Sequence, residues 1–428
     1  MADCMMPLFV NTTDISGGAG RAAYRLFKGI RNSGIDARML VWEKISQDPH
    51  IATPKKNMKS LVERIKPHME RLPFRLYPNR LNRPFHFQWN PGVSPSVLRR
   101  MRPDLVHLHW ICGGFLKIES LPRLHRPVVW TLHDMWAFTG GCNYSLDCHG
   151  YENACGCCPI LNSSNKHDLS HWVWRRKKRS WADMSLAIVS PSRWLADCAG
   201  KSSLFSDRTI EVIPNGIDTQ AYRPYDKRLA RDRFKLPHNR PLVLFSAANG
   251  INNIYKGFDH LRLALHKVRD LLSGSMAELV IVGKASSRDI EGIDLPVHSM
   301  GHLAGDQDLA YLYSAADLFA APSIQDNLPN TVMEALACGT PCLAFRIGGL
   351  PDMIEHQENG YLAEPFDAED LARGIAWLLG DEGRHRKLSA RAREKVVSEF
   401  AIEAIAAKYV RLYSAITDNN YQEEGWKR

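Results

Sequence analysis

The chain has 428 residues, 45% of them apolar and 24% charged, and a formal net charge of +9. That size and balance exclude a disordered chain and a disulfide-stapled miniprotein, and leave room for two or three globular domains. No apolar run reaches the roughly 18 residues a membrane span needs, and the opening MADCMMPLFV lacks the basic and long apolar parts of an export signal, so a cytoplasmic location is the expectation.

The charge is unevenly divided: residues 1–200 hold 28 Lys and Arg against 15 Asp and Glu, whereas residues 201–428 hold 27 against 31. A basic half can face nucleic acid, an anionic membrane or an acidic substrate, or be no more than a solvated surface. The ten cysteines, in a long chain without an export signal, read as thiols or metal ligands rather than bridges.

Short apolar runs alternate with longer helical patterns, which is the signature of parallel sheets with crossover helices. PLFVN, ARMLVW, DLVHLHW, PVVWTLH and LAIVSPS read as strands of one doubly wound α/β domain, residues 1–200. TIEVIPNG, PLVLFSA, ELVIVG, LFAAPS and PCLAFRIGG read as strands of a second, residues 201–404. The helical stretch beyond them, 405–428, is expected to pack back on the first domain.

In the first domain, TTDISGGAGRAAYRLFKGI brings Gly18 and Gly20 to the start of a helix. Gly18 to Ala23 matches G-x-G-x-x-A, and Glu43 lies near the distance of a ribose ligand, so an NAD(P)-dependent oxidoreductase is one reading. Against it, TTDIS separates the strand from the glycines. Glycines opening a helix serve any anion through exposed N–H groups and the helix dipole. Residues 54–100 mix arginines, aromatics and prolines and read as an inserted short helix and loop.

GGCNYSLDCHGYENACGCCP concentrates five cysteines, and Cys142, Cys148, Cys155 and Cys158 give C-x5-C-x6-C-x2-C. A structural zinc held by these four is one reading; an iron–sulfur cluster or reduced thiols are others, with His149 and Cys157 as spare candidates. HWVWRRKKRSW interleaves Trp172, Trp174 and Trp181 with the five cations Arg175 to Arg179. It reads either as contact with an anionic membrane or as a solvated helix face with buried tryptophans; nucleic acid ranks below both, with no recognised binding module present.

In the second domain, IPNGIDTQAYRP is turn-rich and reads as architecture. Lys256 precedes Gly257 and a helix, where an ammonium can meet a diphosphate, although a surface lysine looks the same. SIQDNLPNTVMEALACGTP then places Asp326 and Glu334 around a helix starting near Asn330 or Thr331, at the carboxyl end of a strand. Ligands of open parallel sheets bind there, and a carboxylate at a helix start can accept the vicinal hydroxyls of a ribose or hexose. Thr331 and Glu334 also match a capping box, which would make the glutamate a helix-end residue.

Taken together, these residues resemble the family 4 retaining glycosyltransferases of the GT-B fold, two Rossmann-like domains facing a central cleft. The resemblance rests on two acidic residues separated by seven others in DNLPNTVMEALACGTP, with Asp326 for the usual glutamate. It also rests on Gly17 to Gly20, TLHD, IPNGID, YKGF, LVIVG, GHLAGDQDLAYLYSAADLFAAPS and GGLPDMIEHQENGYL. HDMWAFTGGCNYSLDC is similar to the colanic-acid-type exopolysaccharide transferases of that family. The resemblance implies hexosyl transfer from a nucleotide diphosphate sugar, with retention and without a catalytic metal, to a saccharide that is lipid-linked at the inner face of the cell membrane. It implies that Glu334 binds the ribose, Lys256 the diphosphate and Asp326 the hexose hydroxyls, with His133 near the transferred sugar and Gly18, Gly20, Asn330 and Thr331 lining the nucleotide site. The chain departs from the pattern at Ile251, where the family commonly has arginine, and at NLPN, where it has glycines. A catalytically inactive sugar-binding subunit is the alternative those departures suggest.

Overall fold

In the computed structural model of the chain, residues 5–54, 69, 72–90, 92–247, 250–271, 277–286, 289–303 and 305–418 are described. Parts of the insertion expected over 54–100, and the end of the helical segment expected over 405–428, lie outside them. The chain divides into two compact units, Met1–Pro214 with Ile405–Arg428, and Asn215–Ala404.

The first unit holds a seven-stranded sheet of β1 (Pro7–Thr13), β2 (Arg38–Glu43), β3 (Ile51–Ala52), β4 (Leu105–Leu108), β5 (Val128–Thr131), β6 (Leu186–Ser190) and β7 (Ile210–Val212). Its order is β3-β2-β1-β4-β5-β6-β7, and its ladders are parallel. Strands β4, β5 and β6 are buried throughout, as a parallel sheet covered on both faces requires.

The second unit holds β8 (Leu242–Ala247), β9 (Glu278–Gly283), β10 (Val297–Gly301), β11 (Leu318–Ala321), β12 (Cys342–Phe345) and β13 (Gly360–Ala363), in the order β10-β9-β8-β11-β12-β13 and again parallel. Both sheets reverse direction of growth at one place, between β1 and β4 and between β8 and β11. At such a switch point the loops leaving two neighbouring strands diverge and open a crevice at their carboxyl ends.

Three expectations change. TIEVIPNG forms β7 at the edge of the first sheet rather than opening the second, so the division falls after Pro214 and not at 200/201. Strands β3, β10 and β13 were not anticipated. TTDIS is partly strand: β1 takes in Thr12 and Thr13, leaving Asp14, Ile15 and Ser16 before helix α1 (Gly17–Asn32).

Two further helices organise the first unit. Helix α2 (Leu169–Trp181) is capped by Asp168, whose Oδ1 accepts the N–H groups of Ser170 (2.9 Å) and His171 (3.2 Å). That cap sets the phase in which Val173, Lys177 and Trp181 face inward. HWVWRRKKRSW is therefore not a uniform cationic surface. Arg176 grips Glu119 (2.7 and 2.9 Å) and the carbonyls of Phe87 and Gln88, and the Lys177 ammonium lies 3.7 Å from the Trp136 ring centroid, donating to the carbonyls of Trp136 and Thr139. Arg175, Lys178 and Arg179 stay exposed.

The last helix, α5 (Ile402–Thr417), buries Ile405, Ala406, Tyr409, Leu412, Tyr413 and Ile416 in one cluster with Phe9, Phe27 and Ile30 of the first unit. Their spacing is that of one apolar helix face. Its tyrosines also complete a buried polar chain: Tyr413 Oη lies 2.6 Å from His107 Nδ1, His107 Nε2 lies 2.8 Å from Thr131 Oγ1, and Thr131 Oγ1 lies 2.8 Å from Tyr409 Oη.

Candidate active site

At the switch point of the second sheet, the loop after β8 and the loop after β11 are stitched together. The Ile324 N–H donates to the Tyr255 carbonyl (3.0 Å), and Gly257, at φ +65°, passes so close that a Cβ there would stand 1.8 Å from the Pro322 carbonyl oxygen. Gly348 does the same from the loop after β12, where a Cβ would stand 2.1 Å from the Asp326 carbonyl oxygen. These approaches hold Lys256 and Asp326 together: Nζ donates to Oδ2 at 2.7 Å. Ser323 Oγ (3.3 Å) and the Asn327 N–H (3.0 Å) also donate to the same carboxylate.

Helix α4 (Asn330–Ala337; α3 is Phe258–Leu271) starts directly after Pro329, which occupies the N-cap position without a side-chain cap. The capping box is not formed. Thr331 is the second helical residue and Glu334 the fifth, and Glu334 is 2% exposed and accepts from Tyr313 Oη at 3.0 Å. Its burial therefore serves something other than the helix end. Asn330 and Thr331 are half-buried in the first turn, where N–H groups lack intrahelical partners. Asp326, Lys256, Asn330, Thr331 and Glu334 thus lie on the carboxyl-end loops and the following helix of one sheet.

The other predicted residues belong to the first unit. Gly18 and Gly20 lie in the first turn of α1. His133 follows β5, half-buried, with Nε2 2.9 Å from His109 Nδ1 and the two rings stacked 5.2 Å apart. Burial pulls the His133 imidazole down to about 4, and burial with the neighbouring histidines holds His109 well below its ordinary value. His109 Nε2 is buried and has no hydrogen-bond partner among the described residues. A bare lone pair is cheaper to bury than an N–H, so the network assigns the His109 proton to Nδ1, which donates to His133 Nε2; the proton of His133 is then on Nδ1.

Beside them, Asp134 accepts from the Trp136 N–H (2.9 Å), Trp110 Nε1 (2.9 Å) and Asn143 Nδ2 (2.5 Å), while burial raises its carboxyl. His109, His133 and Asp134 line a cavity of about 210 Å³. Sequence reasoning missed His109, Asp134, Tyr313 and Ser323. HLHW and TLHD, two strand ends each carrying a histidine, were the available signal for the first two.

The histidines give a pH dependence. Unfolded imidazoles take a proton near 6.5, whereas folded His86 and His133, both pulled down by burial, take one only near 4. In that window the unfolded chain binds more protons, so stability rises with pH, is complete above 6.5 and is lost as pH falls through 4. Thermal melting between pH 4.5 and 7.5 should show the loss, and His133→Gln should make it shallower, with His86 and His109 supplying the rest. An unchanged slope would remove His133 from the account.

Two doubly wound parallel units are the architecture of the GT-B fold, and the comparisons with known proteins place the chain among glycosyltransferases of that fold. The family model for glycosyltransferase family 4 matches residues 16–221 and that for glycosyl transferases group 1 matches 226–395; the chain belongs to family 4 of the glycosyltransferases. The N-acetyl-alpha-D-glucosaminyl L-malate synthase of Bacillus anthracis is 39% identical over 368 residues, 80% of this chain and 86% of that protein. A protein of Escherichia coli (strain K12) named as a colanic acid biosynthesis glycosyl transferase, WcaC, is 28% identical over 329 residues, 71% of this chain and 77% of its own length. Among solved structures, Anabaena Alr3699/HepE in complex with UDP and glucose superposes with a TM-score of 0.66 at 18% identity, covering 96% of this chain and 100% of that one.

The family removes the oxidoreductase reading. The glycine loop does not: its spacer is shorter than read from sequence, and Glu43 ends β2 beside Thr13, so the first sheet has the topology a dinucleotide fold would have.

Proposed function

We propose that the chain moves a hexosyl group, with retention, from a nucleotide diphosphate sugar to a saccharide acceptor carried on lipid. The observation that carries this is the Lys256–Asp326 pair, 2.7 Å apart at the switch point of the second sheet, with Glu334 buried on the next helix. In this reading Glu334 accepts the ribose hydroxyls and Asp326 the hexose hydroxyls, while Lys256 faces the diphosphate. Asn330 and Thr331 contribute backbone and side-chain donors at the start of the same helix.

The chemistry follows from where charge develops. As the anomeric C–O bond breaks, its electron pair leaves with the diphosphate, and the sugar carbon becomes positive. Groups that stabilise the leaving anion act more strongly in the transition state than before it, and an ammonium beside a helix N-terminus does this. The acceptor hydroxyl then bonds to the same face of the carbon and its proton passes to the departing phosphate oxygen. HepE, whose structure holds UDP and glucose, makes UDP-glucose the first donor to try.

Thermal shift and turnover with UDP-, GDP- and dTDP-sugars, against NAD(P), test the reading. One nucleotide sugar should raise the melting temperature and be consumed when acceptor is added. Stabilisation by NAD(P) alone, or tight nucleotide binding with no transfer or hydrolysis, would sink it.

No described helix is long and apolar enough to cross a membrane. Contact with a lipid-linked acceptor therefore rests on the surface, and the exposed Arg175, Lys178 and Arg179 on α2 are the cations available there. Replacing these three by glutamine should weaken sedimentation with anionic vesicles by about 1 kcal/mol each. Equal binding to neutral and anionic vesicles would reject the contact.

A further inference from the structure

Four thiols line one pocket for which the transfer reading has no use. Cys142, Cys148, Cys155 and Cys158 all line this pocket in the first unit, together with Phe85 and Tyr151. Cys157 does not line it; its Sγ turns outward to the Ser164 carbonyl (3.2 Å), and His149 is exposed and paired with Glu152 (3.0 Å). The fold thus separates four cysteines of this loop from the fifth, a choice that spacing alone left open.

The backbone around them is arranged for sulfur as an acceptor. The Gly150 N–H donates to Cys148 Sγ (3.5 Å), the Gly140 N–H to the Cys155 sulfur, and the N–H groups of Ile160 and Leu161 to the Cys158 sulfur. A neutral thiol is a weak acceptor, whereas a metal-bound thiolate is a strong one, and such donors are the outer shell that orients ligands and tunes a metal. Cys155 (φ +51°), Gly156 (φ +105°) and Cys157 (φ +46°) are successively left-handed, a strained backbone at the two non-glycine positions.

The N-terminus of α2 clamps that turn: Asp168 accepts the Cys158 N–H (2.8 Å) and Ser170 Oγ accepts the Gly156 N–H (2.9 Å). Lys177, fully buried on the inward face of α2, lies near this loop: burial pulls its amine down to about 7, and the negative charge that Cys112, Cys142, Cys155 and Asp134 can carry acts in the opposite direction.

We infer that Cys142, Cys148, Cys155 and Cys158 bind one zinc ion as a tetrahedral tetrathiolate, each thiol giving up its proton to solvent as its Zn–S bond forms. Among the described residues no three His, Cys, Asp or Glu side chains are already gathered into a metal-holding group, so the thiols must turn inward. Rotation about χ1 carries a cysteine sulfur between staggered positions, and this is the motion that would bring the four to the roughly 2.3 Å of a zinc–thiolate bond.

The test uses the full chain, purified under reducing conditions without added metal. Elemental analysis should find about one zinc per chain, since thiolate sites hold the ion through purification. Blocking the thiols with a mercurial should release it, and exchange for cobalt should give the intense visible bands and near-ultraviolet charge transfer of a tetrahedral thiolate site. Cys158→Ser should bring zinc content from about one to near zero, whereas Cys157→Ser should keep it. If Cys158→Ser fails to fold, the cobalt spectra of the unaltered chain and of Cys157→Ser still decide. No stoichiometric zinc, iron in its place, two disulfides by mass, or equal zinc loss in Cys157→Ser would each overturn the assignment. None of these readouts depends on transferase activity.

Discussion

Lys256→Ala should lower kcat by about 10²- to 10³-fold, the range seen when one donor to a developing anion is removed, while the donor dissociation constant moves far less. The split is expected because the ammonium gains most as the diphosphate takes up the electrons of the breaking bond. The substitution also leaves Asp326 with Ser323 and the Asn327 N–H as its recorded donors. A loss of stability is therefore expected beside the loss of rate, and Asp326→Asn in the same background, which removes the uncompensated carboxylate, should restore stability without restoring turnover. A kcat within threefold of the original chain would place the diphosphate elsewhere.

Glu334→Gln should act on the other half of the split. Losing a charge-assisted hydrogen bond to the ribose costs about 1.5–3 kcal/mol, a roughly ten- to hundredfold weaker donor affinity, with kcat at saturation nearly unchanged because the ribose is held alike before and during transfer. The amide oxygen still accepts from Tyr313, so the melting temperature should hardly move. Glu334→Ala leaves that buried hydroxyl without this acceptor and should cost a further 1–3 kcal/mol or about that in stability. If Gln and Ala variants lose stability alike and both keep donor affinity, Glu334 serves the core rather than the nucleotide.

Most strands were legible because a buried parallel strand is a short unbroken apolar run, as in LAIVS or CLAF. VHSMG of β10 is only half-buried and carries no such run, and GYLA of β13 is too short to stand out, so neither announced itself. TIEV looked like a strand but its sheet was not legible, since a parallel strand between two domains can join the strand before it or the one after it, and here it pairs with the one before, Ile188 to Ser190. Spacing found Asp326 and Glu334 but could not pair Asp326 with Lys256, seventy residues away. It also could not find Tyr313, which looks like any helical core tyrosine. The cation run on α2 was legible only in part: composition cannot say which of its residues turn inward, and Val173, Lys177 and Trp181 do.

The helix at the end of the chain gives the first unit a history as well as a shape. Residues 405–418 leave the ribosome after the whole of the second unit, yet Phe9, Phe27 and Ile30 lack part of their cover, and His107 and Thr131 lack the tyrosines they bond to, until that helix arrives. The unit translated first is thus expected to finish second. It must wait, with an apolar face open, through the synthesis of nearly two hundred intervening residues, 215–404. A ribosome stalled late in the message, or a truncation meant to trim a tail, would therefore strike the beginning of the protein rather than its end.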